Sequence, residues 1–597
     1  MPYPRPGGAT WRAPALRSFA FAIALNACSA ACLAAQDMAA PRRPDSASAA
    51  RAPRVPHVPK TSRADTLRGS YTTPGRRWWD VTFYDLHVAI NPADSAVAGH
   101  NGITYRVLAP GREMQIDLME PLLVDSMVQD GRAVPFRRDG NAFFATPTSP
   151  QPAGRRKTIT VYYHGRPQVA RNPPWQGGFT WTADSLGRPW VVTTDQGMGA
   201  SVWWPNKDTQ ADEPDSQRVA LTLPAPMIDV SNGRLRRTTR NADGTTTYEW
   251  FVGNPINNYA IAVAGGSYAH YREVYHGLRG PLTLDFWPLD YDLANARRQF
   301  PQARSMLQCF EHWFGPYPWY EDGYKLIQVP NTGMEHQSAV SYGNWYQNGY
   351  RKRESSGTGL GLAWDFIIVH ESAHEWFGNN ITAKDNADMW VHESFANYAE
   401  GLYTECLFGK DAGARYVVGN RRGIRNDRPI VPAYGVNDQG SDDMYPKGGE
   451  MLHTIRQLVA DDAKWRRILH GLNQTFRHQT VTGAQVERYM SARAGTDLRR
   501  VFDQYLRTTK VPTLEYRIAG DTLVYRWADV VPGFDMPLRV TLHWPEYTLI
   551  RPTESWQRAR VTLANPANFT VDQNFYVVPK QVDATATTGP RVTAAPR

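Results

Sequence analysis

His370-Glu371-Ser372-Ala373-His374 decides the reading of this chain, together with Trp390-Val391-His392-Glu393-Ser394-Phe395 further on. The apolar spacing over residues 361–378 predicts a helix. On a helix, residues i and i+4 leave the same face one turn apart, so His370 and His374 can share one metal ion. Glu371 lies roughly 100° further round, where it reaches a water held at the metal instead of the metal itself. Eighteen residues separate His374 from Glu393, which falls on a second expected helix over 389–408. Two imidazoles, one carboxylate and an open fourth position make the coordination of a catalytic zinc, one ion per chain; a structural zinc has a closed shell. His392 reads as a supporting histidine, because a fourth protein ligand would close the site. Asn397 and Glu400 share the face of Glu393, where ordinary solvated helix polarity is the commoner reading.

Working outward, helical spacing continues over 295–313, 447–460 and on to about Arg507. Asp388 and Gly409 are the expected caps of the 389–408 helix, and Leu326-Ile327-Gln328-Val329 reads as a strand. Residues 71–270 read as short strands, among them Trp79–Tyr84, Leu86–Ile90 and Thr158–Tyr163, with a turn at Asn241-Ala242-Asp243-Gly244. Strands return after Val511-Pro512 at Thr522–Trp527, Leu538–Leu542 and Arg560–Leu563. The expected fold is α+β and multidomain: an N-terminal β domain at 71–270, a zinc peptidase domain at 271–510, a small β-sandwich at 511–580 and a tail at 581–597. Trp175, Phe179, Trp181 and the pair Trp203-Trp204 read first as core, the alternative being a substrate cleft.

The chain has 597 residues, 42% hydrophobic, 12% aromatic and 21% charged, which is the composition of a globular protein. Its net charge of +9 misleads, since residues 1–70 hold ten of the 66 basic side chains and three of the 57 acidic ones. The remainder is nearly neutral, so no basic face is implied and nucleic-acid binding is excluded as a partner class. Arg12 and Arg17 precede the apolar run Phe19–Leu25 and then small residues to Ala35, the pattern of an export signal over 1–35. That run is too short to span a bilayer, so no transmembrane segment is expected. Cleavage after Ala35 and lipidation at Cys28 are both open, with plain cleavage the favoured reading. The expected location is periplasmic or extracellular, membrane-anchored if Cys28 is lipidated. Residues 36–70, rich in Pro, Ala, Ser and Arg, read as a disordered linker. Loss of Cys28 and Cys32 with the leader leaves Cys309 and Cys406, which the sequence allows as one bridge or as two buried thiols.

Three motifs together resemble the aminopeptidase N and leukotriene hydrolase family, the M1 metallopeptidases, over about Tyr71 to Pro579. His370, Glu371, His374 and Glu393 match its metal signature. Thr332-Gly333-Met334-Glu335-His336 is similar to its G-x-M-E-N motif, with Glu335 standing 35 positions before His370. Tyr445-Pro446-Lys447-Gly448 is similar to its Y-x-K-G. The resemblance implies a β-saddle domain, a thermolysin-like catalytic domain and a β-sandwich. It has no counterpart after Pro579 for the family's large helical domain, which implies a more open site.

By the same resemblance Glu371 is the general base, Tyr445 donates to the developing oxyanion, and Glu335 holds the substrate's α-ammonium, with Gly333 and Met334 beside it. In the family's upstream T-Q-x-[EQ] segment this chain has Asp195-Gln196-Gly197-Met198. Met198 thus stands where the family has Glu or Gln, and Gln196 is the candidate helper. The implied activity is removal of N-terminal residues from peptides with a free N-terminus. Epoxide hydrolysis and a non-catalytic zinc-binding scaffold are the alternatives.

Overall fold

The computed structural model describes residues 62–583. The expected leader, most of the expected linker and most of the tail lie outside them. The first described element corrects the linker expectation: Ser62 accepts from the Asp65 backbone and Asp65 from that of Ser62, a capping box that starts a helix over Arg63–Gly69.

Residues up to about Trp287 are β-rich. Trp79–Ile90, expected as two short strands, is part of one strand, Trp79–Asn91. It pairs antiparallel with Ala96–Val107 and parallel with Ser216–Pro224, at the centre of an eight-stranded sheet. A hairpin of Gly178–Ala183 against Pro189–Thr194 belongs to a second sheet and sets Thr194 opposite Gly178. The segment Asp195–Gly199 leaves the end of that hairpin. Phe179, Trp203 and Trp204 are buried in the apolar core of this region, whereas Trp175 is 60% exposed and lines the cleft described below.

Tyr324–Gln328 is the middle strand of a five-stranded sheet whose edge is Gly333–Met334. That edge pairs antiparallel with Val340–Tyr342, so the backbone just before Glu335 is held by the ladder. Helices pack on this sheet. The stretch expected as one helix over 295–313 is two, Leu293–Gln299 and Gln302–Phe314, because Pro301 interrupts the ladder. Trp390–Phe408 and Pro446–Val459 fall where the spacing places them. Met389, not Asp388, occupies the N-cap position of Trp390–Phe408. The Asp388 carboxylate instead accepts from the Gly483 backbone at 2.8 Å and from the Tyr434 hydroxyl at 2.9 Å. Gly409 ends the helix as expected, at φ 90°.

The last strands form a four-stranded sheet containing Thr513–Ala519 and Thr522–Ala528, and a two-stranded hairpin of Leu538–His543 with Glu546–Ile550. Their buried side chains, among them Leu514 and Trp527, are continuous with the core of the helical region. The strand expected at Arg560–Leu563 lies earlier, at Gln557–Arg560. No helix of the described residues is long and apolar enough to cross a membrane.

Cys309 and Cys406 are bridged, with their Cα atoms 6.1 Å apart and the two residues 97 positions apart in sequence. The bridge ties Gln302–Phe314 to the last turn of Trp390–Phe408. Closing so long a loop should stabilise the fold by about 2–4 kcal/mol through the unfolded state. Cys406→Ser is therefore expected to lower the unfolding temperature measurably in the absence of reductant, with the loss reproduced in the native protein by dithiothreitol. Equal melting of the two proteins under oxidising conditions would show that the bridge carries no stability.

Candidate metal centre and its cleft

The first metal helix is shorter than its apolar spacing suggests. It runs over Phe366–Ala373, capped by Asp365, whose carboxylate accepts from the Ile367 and Ile368 backbones. Leu360–Ala363 is a separate 3-10 turn. After His374 the chain widens into a π-type turn, Glu375–Asn379, and breaks at Phe377 and Gly378. The break aims the Phe377 carbonyl back at His374, whose Nδ1 donates to it at 3.0 Å. His370 Nδ1 donates to Glu400 Oε1 at 2.9 Å. Both imidazoles therefore donate through Nδ1 and turn Nε2 toward the site.

Both Nε2 atoms face the same oxygen. Glu393 Oε2 stands 3.6 Å from that of His370 and 3.4 Å from that of His374. This oxygen is buried and has no hydrogen-bond partner, whereas Oε1 accepts from Gln196 Nε2 at 3.0 Å. The three ligand atoms lie within 4.8 Å of one another. An orphaned carboxylate oxygen facing two imidazole Nε2 atoms is a donor set that fits zinc. His392 is not part of it: its Nε2 accepts from the Ala383 backbone at 2.8 Å, and burial pushes its pKa down to about 3.

Glu400 overturns the expectation of solvated polarity. It is buried and accepts from His370, from Asn397 Nδ2 at 3.2 Å and from the Tyr416 hydroxyl at 2.8 Å. Its i+7 spacing from Glu393 was the available signal, and only the packing of Trp390–Phe408 against Phe366–Ala373 shows what it meets.

The glycines of the other two motifs have steric reasons. A Cβ on Gly333 would stand 2.8 Å from Glu371 Oε1 and 2.9 Å from Ile367 Cγ2, so the edge strand can pass this close to the first metal helix only as glycine. On Gly448 a Cβ would stand 1.9 Å from Ser394 Oγ, the residue after Glu393. Ser394 Oγ in turn donates to the Met444 carbonyl at 2.7 Å, which fixes Tyr445 beside the metal ligands. The Tyr445 ring stacks near His370, with centroids 6.0 Å apart. Lys447 points elsewhere, its ammonium donating to the Thr508 carbonyl at 2.8 Å.

Glu335 is buried, with its carboxylate close to those of Glu371 and to His374. Tyr259 donates its hydroxyl to Glu335 Oε1 at 3.2 Å. This tyrosine, on a 3-10 turn of the β-rich region, carried no sequence signal. Burial raises the Glu335 pKa, and proximity to His374 opposes the shift. For Glu371 burial again dominates, moving it up to about 7; a bound cation would draw it back down. His336, in place of the family's Asn, is buried with Nδ1 3.0 Å from Ser341 Oγ. Of the upstream segment it is Gln196 that enters the site. Met198 packs against the β-rich core and lines a different cavity.

These groups line one cleft of about 720 Å³. Within it Glu335 stands beside His374, and Phe366 stacks 5.1 Å from His370.

Residues 299–505 match the description of the peptidase family M1 domain. The chain carries an M1 domain. It is 24% identical over 373 residues to aminopeptidase B of Rattus norvegicus, covering 58% of this chain and 52% of that one. It is 22% identical over 237 residues to the probable aminopeptidase 1 of Sulfurisphaera tokodaii, covering 37% and 30%. The chain thus spans about half of the one curated relative and under a third of the other. An M1 zinc metallopeptidase of Deinococcus radiodurans, solved as a point mutant bound to a Tyr-Ser-Ala substrate, superposes with a TM-score of 0.62 at 21% identity, over 75% of this chain and 98% of that one. A second structure of the same metallopeptidase gives 0.63.

In the M1 domain Glu400 holds the proton of His370 on Nδ1. Glu400→Ala should weaken zinc binding ~10–100-fold while leaving the three ligands in place. Competition with a chromophoric chelator measures it, and an unchanged dissociation constant would mean that Glu400 only packs.

Proposed function

We propose that this protein is a zinc-dependent aminopeptidase that removes the N-terminal residue of peptides. The observation that carries this reading is the position of Glu335, a buried carboxylate set against His374 and Glu371 in the wall of the cleft. A peptide lying across the metal site meets that acid with whatever stands one residue before the scissile bond. A free α-ammonium satisfies a buried carboxylate by a charge-assisted hydrogen bond; further chain would leave the charge unpaired.

His370, His374 and Glu393 would hold the zinc. When bound there, zinc supplies Lewis acidity, making a water acidic at neutral pH and polarising a carbonyl. Glu371 takes the proton of the attacking water and delivers it to the leaving amine. Its carboxylate is held in the cleft by the Gly333 approach on one side and the helix on the other. Tyr445 donates its hydroxyl to the carbonyl oxygen as charge develops there. Glu335 and Gln196 fix the N-terminal end of the substrate, with Met334 and Gly333 forming the adjoining wall. We read the chain as a β-saddle domain, a thermolysin-like catalytic domain and a C-terminal β-sandwich. We also read it as exported. The leader pattern over 1–35 supports this, and so does the Cys309–Cys406 bridge, since such bridges persist in oxidising compartments.

The direct test is hydrolysis of aminoacyl anilides, lost on chelation and regained with zinc. Absence of any such activity in the zinc-loaded protein would instead favour a binding role. Glu371→Gln should retain zinc and lose ~10²–10⁴-fold in kcat, as removal of a general base does. A variant with near-normal kcat would remove Glu371 from the mechanism.

Glu335→Ala tests the direction of the cleft. Loss of one charge-assisted hydrogen bond, worth about 1.5–3 kcal/mol, corresponds to a ~10–150-fold fall in kcat/KM for substrates with a free amine. N-acetylated peptides should be poor substrates of the unaltered protein and should not lose further in the variant. Equal cleavage of free and acetylated peptides would make the protein an endopeptidase and leave the zinc chemistry standing.

A further inference from the structure

Gln196 does a task that its own side chain cannot secure. Its amide donates to Glu393 Oε1, which leaves Oε2 as the oxygen facing the two histidines. Glutamine is flexible and this one sits on a connecting segment, so its backbone must be held for the amide to be held. Two clamps do this. On one side the Asp195 carboxylate, buried, accepts from Trp203 Nε1 at 2.7 Å. On the other side the Gly197 carbonyl accepts from Arg68 Nη1 at 2.8 Å.

Arg68 belongs to the helix Arg63–Gly69, far from this segment in sequence. That helix is itself tied down at its C-terminal end. Gln115 Nε2 donates to the Leu67 carbonyl at 3.0 Å, and Arg76 Nη1 to the Arg68 and Ser70 carbonyls at 2.8 and 3.0 Å. Arg76 is buried and pairs with Asp117, and Arg68 Nε lies 3.7 Å from Asp208 Oδ2. Gly69 touches a second cleft segment, for a Cβ there would stand 2.2 Å from the Val436 carbonyl carbon and 2.5 Å from the Asn437 nitrogen. Two residues beyond Asn437, Gln439 lines the cleft. One short helix therefore fastens two walls of the cleft, one from the β-rich region and one from the helical region.

We propose that residues 62–70 act as a strap between two walls of the cleft, with Arg68 as a positioning residue that sets the Gln196 amide and, through it, the rotamer of the metal-ligating Glu393. The inference rests on the metal site proposed above.

The test is the zinc dissociation constant, read by chelator competition, for Arg68→Met, Gln196→Ala and the double variant. Gln196→Ala should bind zinc ~10–100-fold more weakly, the usual cost of losing a group that orients a ligand. Arg68→Met should fall in the same direction, and the double variant should be no weaker than Gln196→Ala alone, because Arg68 acts only through that amide. Arg68→Lys, which keeps a charged donor, should recover part of the loss. Unfolding temperatures taken in parallel separate a merely structural role, which would lower stability and leave zinc affinity unchanged. If Arg68→Met does not fold, Arg68→Gln repeats the comparison. Zinc affinity equal to that of the unaltered protein in the Arg68 variants, or losses that multiply in the double variant, would overturn the strap. Failure of the unaltered protein to bind zinc would overturn the metal site instead, so the two results are distinguishable.

Discussion

Everything in the site depends on one buried carboxylate, that of Glu393. A buried charge is tolerated only when it is paired and hydrogen-bonded, and here each oxygen has a separate assignment. Oε1 takes the Gln196 amide, and Oε2 is left to the two imidazoles. Holding that division requires three parts of the chain to meet within a few ångströms. The helix Trp390–Phe408 brings the carboxylate, Phe366–Ala373 brings the histidines, and the segment after Thr194 brings the amide. The surrounding packing follows. Gly448 lets Pro446–Val459 lie against Ser394, the Cys309–Cys406 bridge pins the far end of Trp390–Phe408, and Glu400 turns one histidine toward the carboxylate.

The parts of this arrangement governed by spacing along one element were legible in the sequence. His370 and His374 at i and i+4 need only a helix, and Glu393 needs a second helix at a short remove. The helix ends were less legible. A helix over 361–378 followed from apolar periodicity, but Asp365 is a strong cap inside that window and the chain after His374 bends so that the Phe377 carbonyl can meet His374. Periodicity reports which side chains are apolar; it carries nothing about where a carbonyl is needed by an imidazole. The segment 63–69 shows the same limit from the other side. Its composition has too few apolar residues to bury a face, and it is ordered by polar bonds to Gln115, Arg76 and Gly197 that no local window contains.

Contacts made across the fold were the part not read: Tyr259 carried no signal, and Gln196, expected as a helper at the substrate's ammonium, meets Glu393. Tyr259 is 76 positions from the Glu335 it supports, and Gln196 is 197 positions from Glu393. A loop residue whose role is set by a partner so far away has no periodic neighbour to betray it. Met198 is instructive because the motif comparison singled it out and the backbone turned it away. Clamps at Asp195 and at Gly197 set which side chain of the segment points to the metal, and that is Gln196.

Charge balance connects the metal centre to the choice of substrate. Glu335, Glu371 and Glu393 crowd around two histidines that are neutral once their Nε2 atoms are ligands. Glu400 adds a fourth buried carboxylate behind His370, so a dication offsets only part of the acidic charge gathered there. Desolvation of an unpaired carboxylate is costly, and burial already pushes Glu335 and Glu371 toward their protonated forms in the absence of a cation. On the proposed reading, the α-ammonium of a peptide offsets a further part, reaching Glu335 from a substrate whose chain begins there. Zinc and the substrate's N-terminus are then two parts of one electrostatic requirement. With only the first met, Glu371 remains beside an unbalanced charge; with both met, the environment favours its ionised form, the state in which it can accept a proton from water.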